Sequence, residues 1–166
     1  MNSIKNFNLK DQGTAEKLCD ELVHHIEKVE TTPVLRSILT SLGQLKYLHN
    51  SLLDSILTWY SAGIGAGSED RRVMSSKDMT TIVITLATLN HAPVQHSALL
   101  EHVSQQLKNV SDTLPEHVWL DTVWSLTVLG KVTSEQLESV LNPVFYNVIL
   151  CKYPSALGLM FQHYLT

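Results

Sequence analysis

Gly63-Ile-Gly65-Ala-Gly67-Ser68 is the one glycine-rich stretch in the chain, and phosphate chemistry would have to sit there. A dinucleotide fingerprint needs a third small glycine or alanine where Ser68 stands, and a strand leading into it. Here a helix leads in. A P-loop fails as well, because no Gly-Lys follows. The stretch therefore reads as a connection between helices. At Ser61 to Ser75 it is long for a compact domain, and such connections are either functional or disordered. Arg71 and Arg72 make it the most basic spot in the sequence. With Lys77 they could touch phosphates; the plainer alternative is a solvated charge pair.

Other chemistry-bearing residues point to less. His91, His96 and His102 are spaced by five and six, so they do not stack on one helical face as i and i+4 ligand pairs do. Adjacent His24 and His25 point apart. No metal site is expected. Single-stranded nucleic acid is bound by aromatic platforms interleaved with basic groups. Trp119 fits an apolar stripe and reads as core, while Trp124 lies on a different face. Tyr47, following Lys46 at a hairpin turn, is the better stacking candidate. No Ser-His-Asp or Cys-His arrangement can be assembled, so no catalytic residue is assigned.

The elements that position these residues are helical. Apolar residues recur at three- and four-residue steps through Leu18, Leu22, Val23, Ile26 and Val29, and Thr14 can cap that helix. Thr32-Pro33 opens a second helix, since proline suits the first helical position. Asn50 is expected to cap a third and Ser76 to open a fourth. Val94 to Val110 is the fifth, and Pro115 opens the sixth. Thr133-Ser-Glu-Gln136 has capping-box spacing and introduces a short seventh ending near Leu141. Pro143 and Pro154 begin two more. No segment shows strand alternation.

Internal repetition organises these helices. Ser41-Leu42-Gly43-Gln44-Leu45 recurs as Thr85-Leu86-Ala87-Thr88-Leu89 and as Ser125-Leu126-Thr127-Val128-Leu129, at spacings of 44 and 40 residues. Seven positions before the first leucine stand Leu35, Met79 and Trp119; three before it stand Leu39, Val83 and Val123. Periods near 40 made of helix pairs imply an α-solenoid. The expected fold is all-α, an α-solenoid of about three helix-hairpin repeats of 40–44 residues. The small residues beside the leucine would let neighbouring helices approach closely. The first helix looks like the second half of a hairpin whose first half is missing. A plain helical bundle is the competing reading.

Bulk properties agree with a packed chain. Of 166 residues, 44% are hydrophobic and 17% charged, the reverse of a disordered composition. No apolar run approaches the ~18 residues that cross a bilayer, so no membrane partner is expected. Cys19 and Cys151 lie far apart, which suggests neither a disulfide framework nor a zinc pair. Twelve basic against sixteen acidic residues leave a net charge of −4, short of the basic excess of a dedicated nucleic-acid domain. Residues 111–166 hold only Lys131 and Lys152 against five acids, so a polyanion should avoid that third.

Ser76-Lys-Asp-Met-Thr-Thr-Ile-Val-Ile-Thr-Leu-Ala-Thr-Leu-Asn-His-Ala-Pro93 resembles the helix and turn that open a FAST kinase-like region. Trp119-Leu-Asp-Thr-Val-Trp-Ser-Leu-Thr-Val-Leu129, then Leu137 to Leu141 and Asn142-Pro-Val-Phe145, resemble its second half. The resemblance runs from Ser76 to about Leu150 and is to the FAST kinase domain-containing family of mitochondrial RNA regulators. It implies residence in the mitochondrial matrix and a role in RNA processing or stability. It also implies a C-terminal RAP domain of nuclease-like fold, which is not found before Thr166, so the chain looks like a middle segment. Met1 to Asp11 has no Arg and does not qualify as a presequence; an imported chain would begin downstream of one. Despite the family's name, the glycine loop, strand lysine and catalytic aspartates of a protein kinase are absent, so no enzyme activity is expected.

The resulting layout is 1–62 N-terminal helical repeats, 63–75 flexible glycine-rich loop, and 76–166 FAST kinase-like helical repeats. The expected partner is single-stranded mitochondrial RNA, contacted by Arg36, Lys46, Tyr47, Arg71, Arg72 and Lys77, with no cofactor. The alternative is a protein-interaction scaffold whose RNA contacts are made elsewhere.

Overall fold

Several helices start or stop where a specific backbone group finds a partner. Ser75 and Asp78 form a reciprocal capping box, as do Thr133 and Gln136, and each pair satisfies two otherwise orphaned N–H groups. The fourth helix is thus capped by Ser75, one residue before the expected opening. The third is capped by His49 rather than Asn50: the His49 Nδ1 accepts from the Leu52 amide at 3.2 Å. The fifth begins as a single 3₁₀ turn, Val94–His96, before continuing as α-helix.

The computed structural model describes residues 12–65, 70 and 72–152. The glycine-loop residues Gly67 and Ser68, Arg71, the Pro154 helix and the reading of Met1 to Asp11 lie outside the described residues. Among the described residues there are eight α-helices and no strand: α1 Gln12–His25, α2 Thr32–Leu45, α3 Asn50–Ser61, α4 Ser76–Thr88, α5 Ser97–Val110, α6 Glu116–Val128, α7 Ser134–Leu141 and α8 Pro143–Lys152. None of them is long and apolar enough to cross a membrane.

The helices form two layers. The first helices of the hairpins, α2, α4 and α6, pack side by side, while α1, α3 and α5 lie against one another behind them. α1 sits in this second layer, which is the place of a hairpin's second helix. α8 folds back on α6 and α7. Leu42, Leu86 and Leu126 are buried in equivalent places in one continuous core with Leu35, Leu39, Met79, Val83, Trp119 and Val123. The plain-bundle reading gives way to the repeat.

The three first helices also end identically. Four residues after each repeat leucine, the chain turns left-handed at Lys46 (φ 50°), Asn90 (φ 48°) and Gly130 (φ 65°). The next residue, Tyr47, His91 or Lys131, donates its amide to the carbonyl of Leu42, Leu86 or Leu126 at 3.0, 2.9 and 2.8 Å. This closing turn satisfies carbonyls the helix leaves free. Only the third repeat uses glycine, the residue that adopts this backbone without steric cost.

Close approach occurs where the small residues stand. A Cβ at Gly43 would lie 3.5 Å from Thr85 Oγ1, and that hydroxyl donates across the interface to the Leu39 carbonyl at 3.3 Å.

Candidate nucleic-acid interface

The basic candidates divide between the two ends of the first-helix layer. Arg36 lies in the first turns of α2, about 15 Å along the helix from Lys46 at 1.5 Å per residue. Its Nη1 donates at 2.8 Å to Asp78 Oδ1, in a pair whose carboxylate is fully buried. The other oxygen, Oδ2, accepts from the Ser75 amide and hydroxyl at 2.9 and 2.6 Å. Arg36 therefore neutralises a buried charge that ties α2 to α4. Beside it, burial first and the Asp78 charge second hold the Tyr60 phenol well above its ordinary pKa. Its hydroxyl hydrogen faces the Thr32 carbonyl at 3.5 Å.

Arg72 packs its backbone against Gly63, where an added Cβ would come within 2.6 Å of the arginine. Gly63 is thus explained by packing. The Arg72 guanidinium forks onto Asp70, with Nε at 3.0 Å and Nη2 at 2.8 Å. Lys77 is exposed on the first turn of α4. Arg36, Arg72 and Lys77 share one edge, because α3 ends where α2 and α4 begin. Lys46 and Tyr47 stand at the opposite edge. Tyr47 is half-buried against the core and partly stacked on His49, with ring centres 6.4 Å apart. Lys46 and Lys77 are exposed at opposite edges, so an RNA reaching both must run along the layer.

Histidine has a repeated structural use that spacing concealed. His49 Nε2 meets Asp20 on α1 at 3.3 Å, and His96 Nε2 meets Asp54 on α3 at 2.7 Å. In the third repeat Lys131 reaches Ser97 and Glu101 on α5 at 2.7 and 2.8 Å. Each time, a donor in the loop before a second helix clasps the preceding second helix. The donors stand seven, ten and five residues after the repeat leucine, since the loops differ in length, so no fixed period marks them in the sequence. Among the described residues, no group of three or more His, Cys, Asp or Glu could hold a metal ion.

A cavity of about 620 Å³ opens between α1 and α3. Glu27 and Asp54 line it with Arg72 and Trp59, whose buried indole N–H has no acceptor. Two carboxylates against one arginine already held by Asp70 make it a poor phosphate site.

Residues 79–150 match the family described as FAST kinase-like protein, subdomain 1. That part of the chain is similar to the FAST kinase-like family. The matched span runs from α4 through nearly all of α8, so it holds the second and third repeats and omits the first. FAST kinase domain-containing protein 4 of Rattus norvegicus is 26% identical over 129 residues, covering 78% of this chain. The chain spans about a fifth of that relative, 19% of its length. No solved structure matches it.

Proposed function

We propose that this FAST kinase-like chain is a helical-repeat segment of a mitochondrial post-transcriptional regulator. In this reading it works in the matrix, contributes to binding single-stranded RNA in processing or stability control, and acts by binding rather than by catalysis. The observation that carries the reading is the family match across α4 to α8. On the edge that also bears the carboxylate-paired Arg36 and Arg72, the exposed Lys77 supports it in a second way, since phosphate neutralisation dominates such affinities. Arg71 belongs to the same proposed contact set.

The test is a titration of labelled single-stranded RNA at two salt concentrations. Wild type is compared with Arg71→Glu/Arg72→Glu and with Lys46→Glu/Lys77→Glu. Affinity should fall with salt, and both charge reversals should weaken it. Absence of binding at low salt would remove direct RNA recognition from this segment.

A second reading, a protein-interaction scaffold, is favoured by the net charge of −4 and by an apolar groove at the α1/α2 end of the layer.

A further inference from the structure

Ser75 differs from the hydroxyls on the helix faces. Thr40, Ser41, Thr81 and Thr88 lie within helices, each donating to the carbonyl four residues earlier. Ser75 instead stands just before α4, exposed and on extended backbone (φ −79°, ψ 166°). Val73 beside it is exposed as well, and residues 73–75 belong to no helix. Arg72 makes Arg72-Val-Met-Ser75 the one Arg-x-x-Ser or Arg-x-x-Thr sequence in the chain. Protein kinases with an acidic substrate cleft select an arginine at that distance, since charge pattern sets their specificity. The guanidinium now rests on Asp70 in a partly exposed pair. A kinase carboxylate replaces that partner at little cost, because such pairs are weak.

The Ser75 hydroxyl is also tied to the basic edge. Its Oγ donates to Asp78 Oδ2 at 2.6 Å and accepts from the Asp78 amide at 3.3 Å. Asp78 is buried, and Arg36 neutralises it. The matching cap of α7 lacks this charge: Thr133 pairs with neutral Gln136, and Gly130 stands three residues before it. A phosphoserine has no hydrogen to give Asp78, and at neutral pH it carries roughly −1.5 to −2 charges. It would set that charge beside a desolvated carboxylate. Arg36 and the positive end of α4 oppose the repulsion. Arg36 is 29% exposed, so water screens what it gains, whereas nothing screens the buried Asp78. Repulsion wins.

We propose that Ser75 is the acceptor of an arginine-directed Ser/Thr protein kinase, and that its phosphate loosens the start of α4 and closes the Arg36, Arg72 and Lys77 edge to RNA. In the transfer, Ser75 Oγ bonds to the γ-phosphorus of ATP and the bond to the β–γ bridging oxygen breaks. ADP leaves, and the hydroxyl proton passes to the kinase's catalytic base. The consequence for RNA rests on the RNA reading; the acceptor assignment does not.

The test treats the chain with ATP, Mg²⁺ and an arginine-directed kinase, beside a proline-directed kinase as control, and locates phosphate by mass spectrometry. Ser75 should carry it after the first kinase and not after the second. The unfolding midpoint should then fall by about 2–6 °C, the scale of one lost charge-assisted hydrogen bond at this size. Affinity for labelled single-stranded RNA should drop about tenfold at low salt, with a shallower salt dependence, as one or two phosphate contacts are lost. Ser75→Asn keeps a capping residue without the acceptor hydroxyl. It should bind RNA as wild type does and show no response to the kinase in any of the three measurements. Phosphate absent from Ser75 overturns the proposal, and so does a kinase response that survives Ser75→Asn. A midpoint unchanged or raised by phosphate on Ser75 overturns the coupling to Asp78. RNA bound equally well by the phosphorylated chain overturns the regulation. If the unmodified chain binds no RNA at low salt, the RNA reading falls instead, and the phosphate position and the midpoint still decide on Ser75.

Discussion

Along α2, α4 and α6 the neighbours meet through apolar surface, with Gly43 and Thr85 letting the backbones come close. In the second layer, His49–Asp20 ties α1 to the start of α3, His96–Asp54 ties α3 to the start of α5, and Lys131–Glu101 ties α5 to the loop before α7. Apart from the Arg36–Asp78 pair, whose carboxylate is fully buried, the first layer depends on shape and on water exclusion, which ionic screening does not weaken. The second adds polar contacts at its rim, where solvent screens them. One solenoid thus combines a layer that should respond to packing changes with one that should respond to ionic conditions.

Substitutions can break this contrast in order of size. Leu86→Ala, at the centre of the first layer, should cost about 2–5 kcal/mol of unfolding free energy, measured by denaturant titration. A loss below about 1 kcal/mol would mean that the layer can collapse around the missing leucine and is not tightly packed. Arg36→Ala leaves the Asp78 carboxylate buried with only Ser75 as partner. It should cost about 2–3 kcal/mol, toward the lower end because the arginine is partly solvated. Arg36→Met with Asp78→Asn should recover a good part of that loss, since removing both charges relieves the unpaired one.

A smaller effect of opposite sign tests the closing turns. Lys46→Gly places glycine in a left-handed position that already forms the same turn as Gly130, and should stabilise by about 0.5–1 kcal/mol. A destabilised Lys46→Gly would show that the lysine side chain contributes more than the backbone strain it imposes.

The smallest effect belongs to the second layer. Lys131→Met should lower stability slightly in dilute buffer and leave it unchanged in molar salt. The lysine hydrogen bond, with its charge, holds the Glu101 carboxyl below its ordinary value. A depressed folded-state pKa gives stability that is present above the unfolded value and lost as pH falls through the folded one. The difference between wild type and Lys131→Met should therefore be full at neutral pH and vanish in acid below the usual carboxylate range. A difference that persists in acid would assign Lys131 to packing instead.

Much of this architecture can be read from residue order. Leucines at spacings of 44 and 40 locate the buried first-layer helices because burial recurs whenever the same surface meets the same neighbour. Capping residues mark most helix starts within a residue, since a cap bonds to an amide only two or three places away. Asn50 misleads because His49 is an equally local acceptor that propensity ranks lower. The candidate interface was harder to read. Arg36, Lys46, Arg72 and Lys77 are all basic in the sequence, yet Arg36 meets Asp78 from 42 residues away and Arg72 meets Asp70 in its own loop.

Periodicity along the chain was enough to set the helices, their repeat and the depth of each leucine, because these depend on contacts within one turn or one hairpin. Which charges stand free, which loop donor finds which carboxylate, and which face of α2 is left uncovered depend on where separate hairpins come to rest against each other. Those distances are created by stacking, and loops of unequal length leave no regular trace of them in the order of residues.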